Sequence, residues 1–429
     1  MTEHTEKNYI HHVTSLGDSH NVETHEEIYS ESGVKLVNEG VKIDRSFYDR
    51  LIKHKLLKPI DHSLMIENVV TSDVLIKEAK KLINDVPSLN IVIMAMNDQE
   101  LPLRILSLVD LAPPLAFKLT VARERSPEMF QHSITVALIA ICLADKEGHD
   151  RQALIDIATA GIYHDLGILH INPELLDPST KVTDADRHSL YAHPMVAYLI
   201  LKEFPQYHPV ISHAVLDHHE RIDGSGYPRG LQGDEISEFG KILAVAELFA
   251  SFIDGEPEIQ MLEQLQIILK FNTSKYSPRY TRHVISLYKP AASTTDTSST
   301  VDATVLSTTM KGVAEILSQW DALSDQQEQN AQDNNFADIT SLIEERVQEL
   351  KHSFARVGML PEDFSTIVAQ IHEDPESMKE LSVLVDEMGF QVKMLFSEID
   401  RHLEETNVEH TDAYFSNWVE ASKQKIITM

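Results

Sequence analysis

Apolar residues in this chain gather in blocks rather than in regular alternation. Ile134 to Leu143 and Ile155 to Ile162 are almost uninterrupted apolar runs, which read as buried helices. Residues 72 to 125 read as helices broken at Pro87, Pro102 and Pro113-Pro114, because proline cannot continue a helix from its interior. Ile339 to Leu350 and Leu381 to Ile399 repeat apolar positions at helical spacing with charged residues on the other face, the pattern of a bundle or a dimerisation element. One stretch alternates instead: Gly33 to Ile43, around Asn38-Glu39-Gly40, predicts a β-hairpin. A short helix is expected after it, with Phe47, Leu51 and Ile52 at helical spacing and Asp44 or Ser46 as caps.

These patterns divide the chain. Residues 1–30 hold few large apolar side chains and are expected to be disordered. Residues 31–70 form a small hairpin-helix module and 71–119 a helical connector. Residues 120–290 form one helical domain, 291–310, rich in Ser, Thr and Ala, a flexible linker, and 311–429 a helical C-terminal region. The fold class is mainly α, with a small α+β module in front.

Composition narrows the partners. The 429 residues are 42% hydrophobic, enough for two or three cores. With 67 acidic against 37 basic residues the net charge is -30, so most of the surface repels DNA and anionic membranes. Cys142 stands alone and excludes an intramolecular disulfide framework, as expected in a reducing cytoplasm. Residues 1 to 22 lack the apolar segment of a secretory signal, and no run of about 18 apolar residues suggests a membrane span.

Metal-binding side chains concentrate in the middle. His164-Asp165, His193-Pro194 and His218-His219-Glu220 precede the loop Asp223-Gly224-Ser225-Gly226-Tyr227-Pro228. An adjacent His-Asp pair offers a neutral imidazole and an anionic oxygen to neighbouring ions. A carboxylate after the apolar run Ile155 to Ile162 is costly to bury unless a cation sits beside it. Adjacent histidines on a helix point about 100° apart and can reach different ions. His188, His208 and His213 read as surface or core residues.

The order of these motifs resembles the HD-GYP family of metal-dependent phosphohydrolases. The resemblance implies a helical domain with a di- or trinuclear centre of divalent iron or manganese that opens cyclic di-GMP. It assigns metal ligation to Glu128, His132, His164, Asp165, His193, His218, His219 and Glu247, with Asp165 bridging ions. Glu128 and His132 stand four residues apart and share one helical face. Gly226, Tyr227 and Pro228 are the signature on the substrate side, and Lys241 is the candidate phosphate contact.

Two positions depart from the family pattern. Ile168 stands where the family carries a phosphate-binding lysine, a loss worth about 1.5–3 kcal/mol of charge-assisted hydrogen bonding. Glu247 stands where the family has aspartate, and residues 250 to 257 contain no arginine, leaving Lys241 and Arg221 as the nearby cations. Three readings therefore stay open: a cyclic dinucleotide phosphodiesterase, a hydrolase of another nucleotide, and a degenerate domain that senses a nucleotide or binds a signalling partner. The C-terminal helices suit a protein partner or a homodimer under each.

Overall fold

The computed structural model describes residues 3–176, 184–253, 265, 268–269, 272, 274–287, 303–328, 334–356, 375–406 and 413–428. The chain divides into two compact units, Met1–Met261 with Ser274–Tyr288, and Leu262–Thr273 with Lys289–Met429.

The first unit opens with helix α1 (Glu3–Leu16), where disorder was expected. Tyr9, Ile10, Val13 and Leu16 are buried at helical spacing, so four well-placed residues supply the apolar face that average composition concealed. Four short strands follow: β1 (Val22–Thr24), β2 (Ile28–Tyr29), β3 (Lys35–Val37) and β4 (Leu64–Ile66). The expected hairpin about Asn38-Glu39-Gly40 is not the pairing found. β3 turns back on β2, with Ile28 opposite Val37, and β1 pairs with the distant β4, with Val22 opposite Ile66. Ser30 and Gly33 make the turn between β2 and β3. From Gly40 the chain runs antiparallel beside β1, the Gly40 amide donating to Thr24 O at 2.8 Å and the Ile43 amide to Val22 O at 2.8 Å. Local alternation cannot reveal a partner so far along the chain. Asp44 caps the next turn as expected, accepting from Ser46 N at 2.9 Å, and α2 (Tyr48–Ile52) follows.

Proline then sets the helix starts. α3 (Ser72–Asp85) leads to α4 (Pro87–Met94), α5 (Leu101–Leu106) and α6 (Pro113–Arg125), and Pro87, Pro102 and Pro113 each lie in a first turn, where a missing N–H costs nothing. α7 (Pro127–Lys146) is the central helix, buried without a break from Ser133 to Ala144. Contrary to the sequence expectation, α7 is long and apolar enough to cross a membrane by length and composition, yet 72% of its apolar window is buried inside the protein. It is a core helix.

α8 (Arg151–Tyr163) is capped by Asp150, which accepts from Ala153 N. Gly161 lets α8 approach α7 closely, since a Cβ there would fall 2.7 Å from Ala137 Cα. A 3₁₀ turn, Leu166–His170, leads away from it. Then come α9 (Asp184–Tyr191), α10 (His193–Leu201), α11 (Pro209–Asp217), α12 (Glu238–Ile253) and α13 (Pro278–Leu287). Arg279, Arg282 and His283 of α13 close on Glu147 at the end of α7, which ties α13 to the first unit.

The second unit contains α14 (Ala303–Glu328), α15 (Asn334–Arg356), α16 (Pro375–Thr406) and α17 (Ala413–Thr428). Of the expected linker, 291–302 lies outside the described residues and 303–310 is helical. The two periodic segments lie within α15 and α16. Ile343, Val347 and Phe354, with Leu381, Val385, Met388, Val392 and Ile399, line a core that also holds Trp320 and Trp418. Both indoles find acceptors, Trp320 Nε1 donating to Glu344 Oε2 at 2.7 Å and Trp418 Nε1 to Ile316 O at 3.3 Å, as buried indoles require.

Candidate metal centre

Five helices deliver side chains to one point. His132 comes from the second turn of α7, His164 from the end of α8 with Asp165 next to it, and His193 from the first position of α10. His218 and His219 follow α11, and Glu247 comes from α12. His132 Nε2 lies 2.8 Å from Glu247 Oε2. His164 Nε2 lies 3.2 Å from the same oxygen and 3.3 Å from Asp165 Oδ2. The other carboxylate oxygen, Asp165 Oδ1, stands 3.4 Å from His193 Nε2 and 3.9 Å from His218 Nε2. Two sets of ligand atoms each lie within 4.8 Å of one another: Asp165, His193, His218 and His219, and His132, His164 and Asp165. Asp165 belongs to both.

Hydrogen bonding at the far side of the rings shows what the cluster is for. His164 Nδ1 faces Gly161 O at 2.8 Å, His193 Nδ1 faces Leu190 O at 2.7 Å, and His218 Nδ1 faces Val215 O at 2.6 Å. A carbonyl only accepts, so each Nδ1 carries the proton and each Nε2 presents a lone pair to the centre. His193 Nε2 and His218 Nε2 then meet at 3.4 Å with no proton to share. His164 Nε2 is buried without a hydrogen-bond partner. A cation satisfies all three, so the donor set fits divalent metal.

Electrostatics agree. Burial alone would lower the His164 pKa, but Asp165 and Glu247 outweigh it and raise it to about 10, so positive charge is favoured at Nε2, where a metal ion takes the place of a proton. Burial lowers His218 to about 3, with the His164 and His193 rings adding to the effect, and pushes His193 and His219 down as well. Burial would raise Asp165 and Glu247, yet His164 holds the first, and His132 with His164 the second, well below the carboxylate range. Two anions beside three imidazoles that resist protonation, His193, His218 and His219, call for positive charge between them, and divalent ions supply it. His164 and His218 are 1% and 0% exposed, against 15% for His132, 17% for Glu247 and 10% for Asp165. The centre is therefore closed behind and open on the His132–Glu247 side.

The remaining expected site residues are placed variously. Glu128 is exposed in the first turn of α7, outside both ligand sets. It shares the face of His132 but lies one turn nearer the helix end. Lys241 pairs with Asp234 at 3.2 Å, and Arg221 lies over the Tyr276 ring at 4.8 Å. Tyr227 stacks on His219, with ring centroids 4.6 Å apart, so the signature loop touches the centre. Gly226 is pressed on the backbone, where a Cβ would fall 2.3 Å from Arg221 N, and a cis peptide joins Tyr227 to Pro228. Ile168 is partly buried on the 3₁₀ turn after Asp165.

Sequence reasoning missed the groups that hold this loop. Glu220 is 1% exposed and accepts from Arg229 N at 2.8 Å and Leu231 N at 3.0 Å. Asp217 accepts from Ser237 N at 2.9 Å and pairs with the Arg229 side chain. Tyr191 stacks on the other side of Tyr227 at 4.2 Å. The signal present was Glu220 itself, an acid directly following two histidines.

Residues 117–280 match the family model described as the HD domain. This segment is an HD domain. A 3′3′-cGAMP-specific phosphodiesterase of Vibrio cholerae is 34% identical over 134 residues, 31% of each chain. A cyclic di-GMP phosphodiesterase of Pseudomonas aeruginosa is 29% identical over 128 residues, 30% of this chain and 31% of its own. One from Thermotoga maritima is 28% identical over 171 residues, 38% of this chain and 46% of its own. The HD-GYP character read from the motifs holds. The chain spans about a third of the length of the first two relatives. A solved HDG"Y"P protein from Bdellovibrio bacteriovorus aligns over 62% of this chain and 94% of its own at 15% identity, with a TM-score of 0.34, too low to bear on the fold.

Proposed function

We propose that the HD domain is a metal-dependent phosphodiesterase that opens a cyclic dinucleotide, cyclic di-GMP or 3′3′-cGAMP, to the linear dinucleotide or on to mononucleotides. The observation that carries this reading is the convergence of His132, His164, Asp165, His193, His218, His219 and Glu247 on one centre, with Nε2 of His164, His193 and His218 turned inward and their Nδ1 atoms on backbone carbonyls. The named activities of the relatives give the substrate class. Two or three divalent ions, iron or manganese, would be held by these residues. When bound, they lower the pKa of water and neutralise charge on a phosphate.

The protein's own groups do the rest. Asp165 offers one oxygen to each ligand set and would serve ions held in both. The backbone carbonyls behind His164, His193 and His218 fix each imidazole in one tautomer and one orientation. Tyr227, stacked on His219, closes the centre on the loop side and excludes water there. Lys241 is the proposed phosphate contact. Its partner Asp234 is fully exposed, so that ion pair is screened and yields readily to a phosphate. With Ile168 in place of lysine, phosphate binding falls mainly to metal, and substrate affinity is lower than a lysine would give.

Protein purified anaerobically, assayed for iron and manganese, and incubated with cyclic di-GMP and 3′3′-cGAMP tests the reading. Turnover that is abolished in His164→Ala and Asp165→Ala supports it. Bound metal with no cleavage of either nucleotide would make the domain a sensor or a scaffold.

A further inference from the structure

A second cluster of buried polar groups lies between the N-terminal module and the 3₁₀ turn that begins at Asp165. His170, at the end of that turn, is 2% exposed, as are Lys118 of α6 and Asp61 of the Ile60–His62 turn, and Tyr9 of α1 is 3% exposed. The His170 ring stacks on Tyr9 with centroids 4.7 Å apart and planes 21° apart. Lys118 Nζ lies 3.3 Å from His170 Nε2, 3.5 Å over the Tyr9 ring and 3.3 Å from Asp61 Oδ1. Asn8 Nδ2 donates to His170 O at 3.1 Å. α1 and Lys118 together thus hold one end of the turn, by the His170 ring, its ring nitrogen and its carbonyl.

The other end of the turn is the metal centre. Ile168 N donates to Asp165 O at 2.9 Å. Gly167 is packed so tightly on the start of α10 that a Cβ would fall 2.1 Å from His193 O. His170 is therefore joined through a turn of 5 residues to both Asp165 and His193. A buried ion pair is a poor source of stability, because desolvation offsets its attraction, but it does define one arrangement against others.

We propose that Tyr9, Lys118 and His170 are positioning residues, which hold the Leu166–His170 turn so that Asp165 and His193 face one ion. The metal half of this inference rests on the reading of the centre given above; the bracing of the turn does not.

Tyr9→Leu removes the stack and the cation contact, Tyr9→Phe keeps both, and Asp61→Asn with Lys118→Met removes the two charges together. Hydrogen exchange of the Ile168 and Ile171 amides and calorimetric titration with Mn²⁺ are measured on the full chain. Tyr9→Leu and the double variant are expected to speed exchange at both amides and to weaken Mn²⁺ binding by about 10–100-fold, the usual effect of losing support behind a ligand. Tyr9→Phe is expected to match the wild type. Faster exchange confined to α1, with the turn and Mn²⁺ affinity unchanged, overturns the proposal, as does a Tyr9→Phe protein as impaired as Tyr9→Leu. If the wild type takes up no Mn²⁺, the reading of the centre fails, and the exchange measurement still decides whether the turn is braced. If Tyr9→Leu does not fold, the double variant carries the test.

Discussion

His132 Nε2 and Glu247 Oε2 meet at 2.8 Å although 115 residues separate them in the chain. The same oxygen lies 3.2 Å from His164 Nε2, so one carboxylate links α7, α8 and α12 on the open side of the centre. Glu247→Gln keeps the shape and removes the charge. It is expected to weaken divalent metal binding by at least the 10–100-fold seen when mere support behind a ligand is lost. Glu247→Asp withdraws the carboxylate by one carbon-carbon bond, about 1.5 Å, and should also weaken binding, because α12 places its backbone for the longer side chain. Titration with Mn²⁺ decides both; an Asp variant that binds as well as wild type would refute the second.

The contact between Gly167 and His193 gives a second prediction. A methyl group at 167 would overlap His193 O at 2.1 Å, and a backbone oxygen cannot swing aside as a side chain can. Gly167→Ala should cost about 1–3 kcal/mol by overpacking and should separate Asp165 from His193. Gly148→Ala is the control: Gly148 has φ +77° and open space around its Cβ position, so alanine there meets only the left-handed backbone penalty of about 1–2 kcal/mol. Both proteins should melt at lower temperature, but only Gly167→Ala should lose metal. Equal metal content in the two would show that the packing at Gly167 does not set the centre.

Glu220 makes a third case. Each of its oxygens accepts from a loop amide, Arg229 N and Leu231 N. Glu220→Gln turns an NH₂ toward one of those N–H groups, and one donor is left without a partner. We expect a loss of about 1.5–3 kcal/mol, the range for hydrogen bonds to a charged group. Proteolysis should become faster within residues 221–231, and KM for the cyclic dinucleotide should rise more than kcat falls. Unchanged protease resistance would argue that the loop is held by the Tyr191–Tyr227–His219 stack instead.

What the chain disclosed in advance follows from the range of the interactions involved. The helices before the HD domain were legible because proline at 87, 102 and 113 marks helix starts locally, those within it because Ile134 to Leu143 and Ile155 to Ile162 are apolar runs, and the candidate ligands because His164-Asp165, His193 and His218-His219 fall in a recognisable order. The N-terminal helix was not, since Tyr9, Ile10, Val13 and Leu16 are diluted by polar neighbours and acquire their meaning from α6 and the turn at His170. Strand pairing failed for a similar reason: β1 finds its partner more than forty residues on, at β4. Lys241 pairs with Asp234, seven residues before it, and Glu128 lies outside both ligand sets, arrangements that residue type and spacing did not specify. The N-terminal helix and the strand pairing both depend on contacts between segments distant in sequence.

Glu147 offers a test by pH. It is 6% exposed and accepts from Arg279, Arg282 and His283 of α13. Burial alone would raise its pKa, but the hydrogen bonds from His283, Arg279 and Arg282 outweigh that and hold it at about 2, against an ordinary value of 4.5. A carboxyl group depressed on folding contributes stability that is full above its unfolded pKa and is lost as pH falls through the folded one. Relative to Glu147→Gln, the wild type should therefore be more stable at pH 7, by about 1–2 kcal/mol because the two arginines are half-exposed or more. The advantage should shrink as pH drops below 4.5 and disappear near 2. Thermal melting of both proteins between pH 7 and pH 3 measures it. A difference that stays constant across that range would mean that Glu147 holds α13 by packing and not by charge.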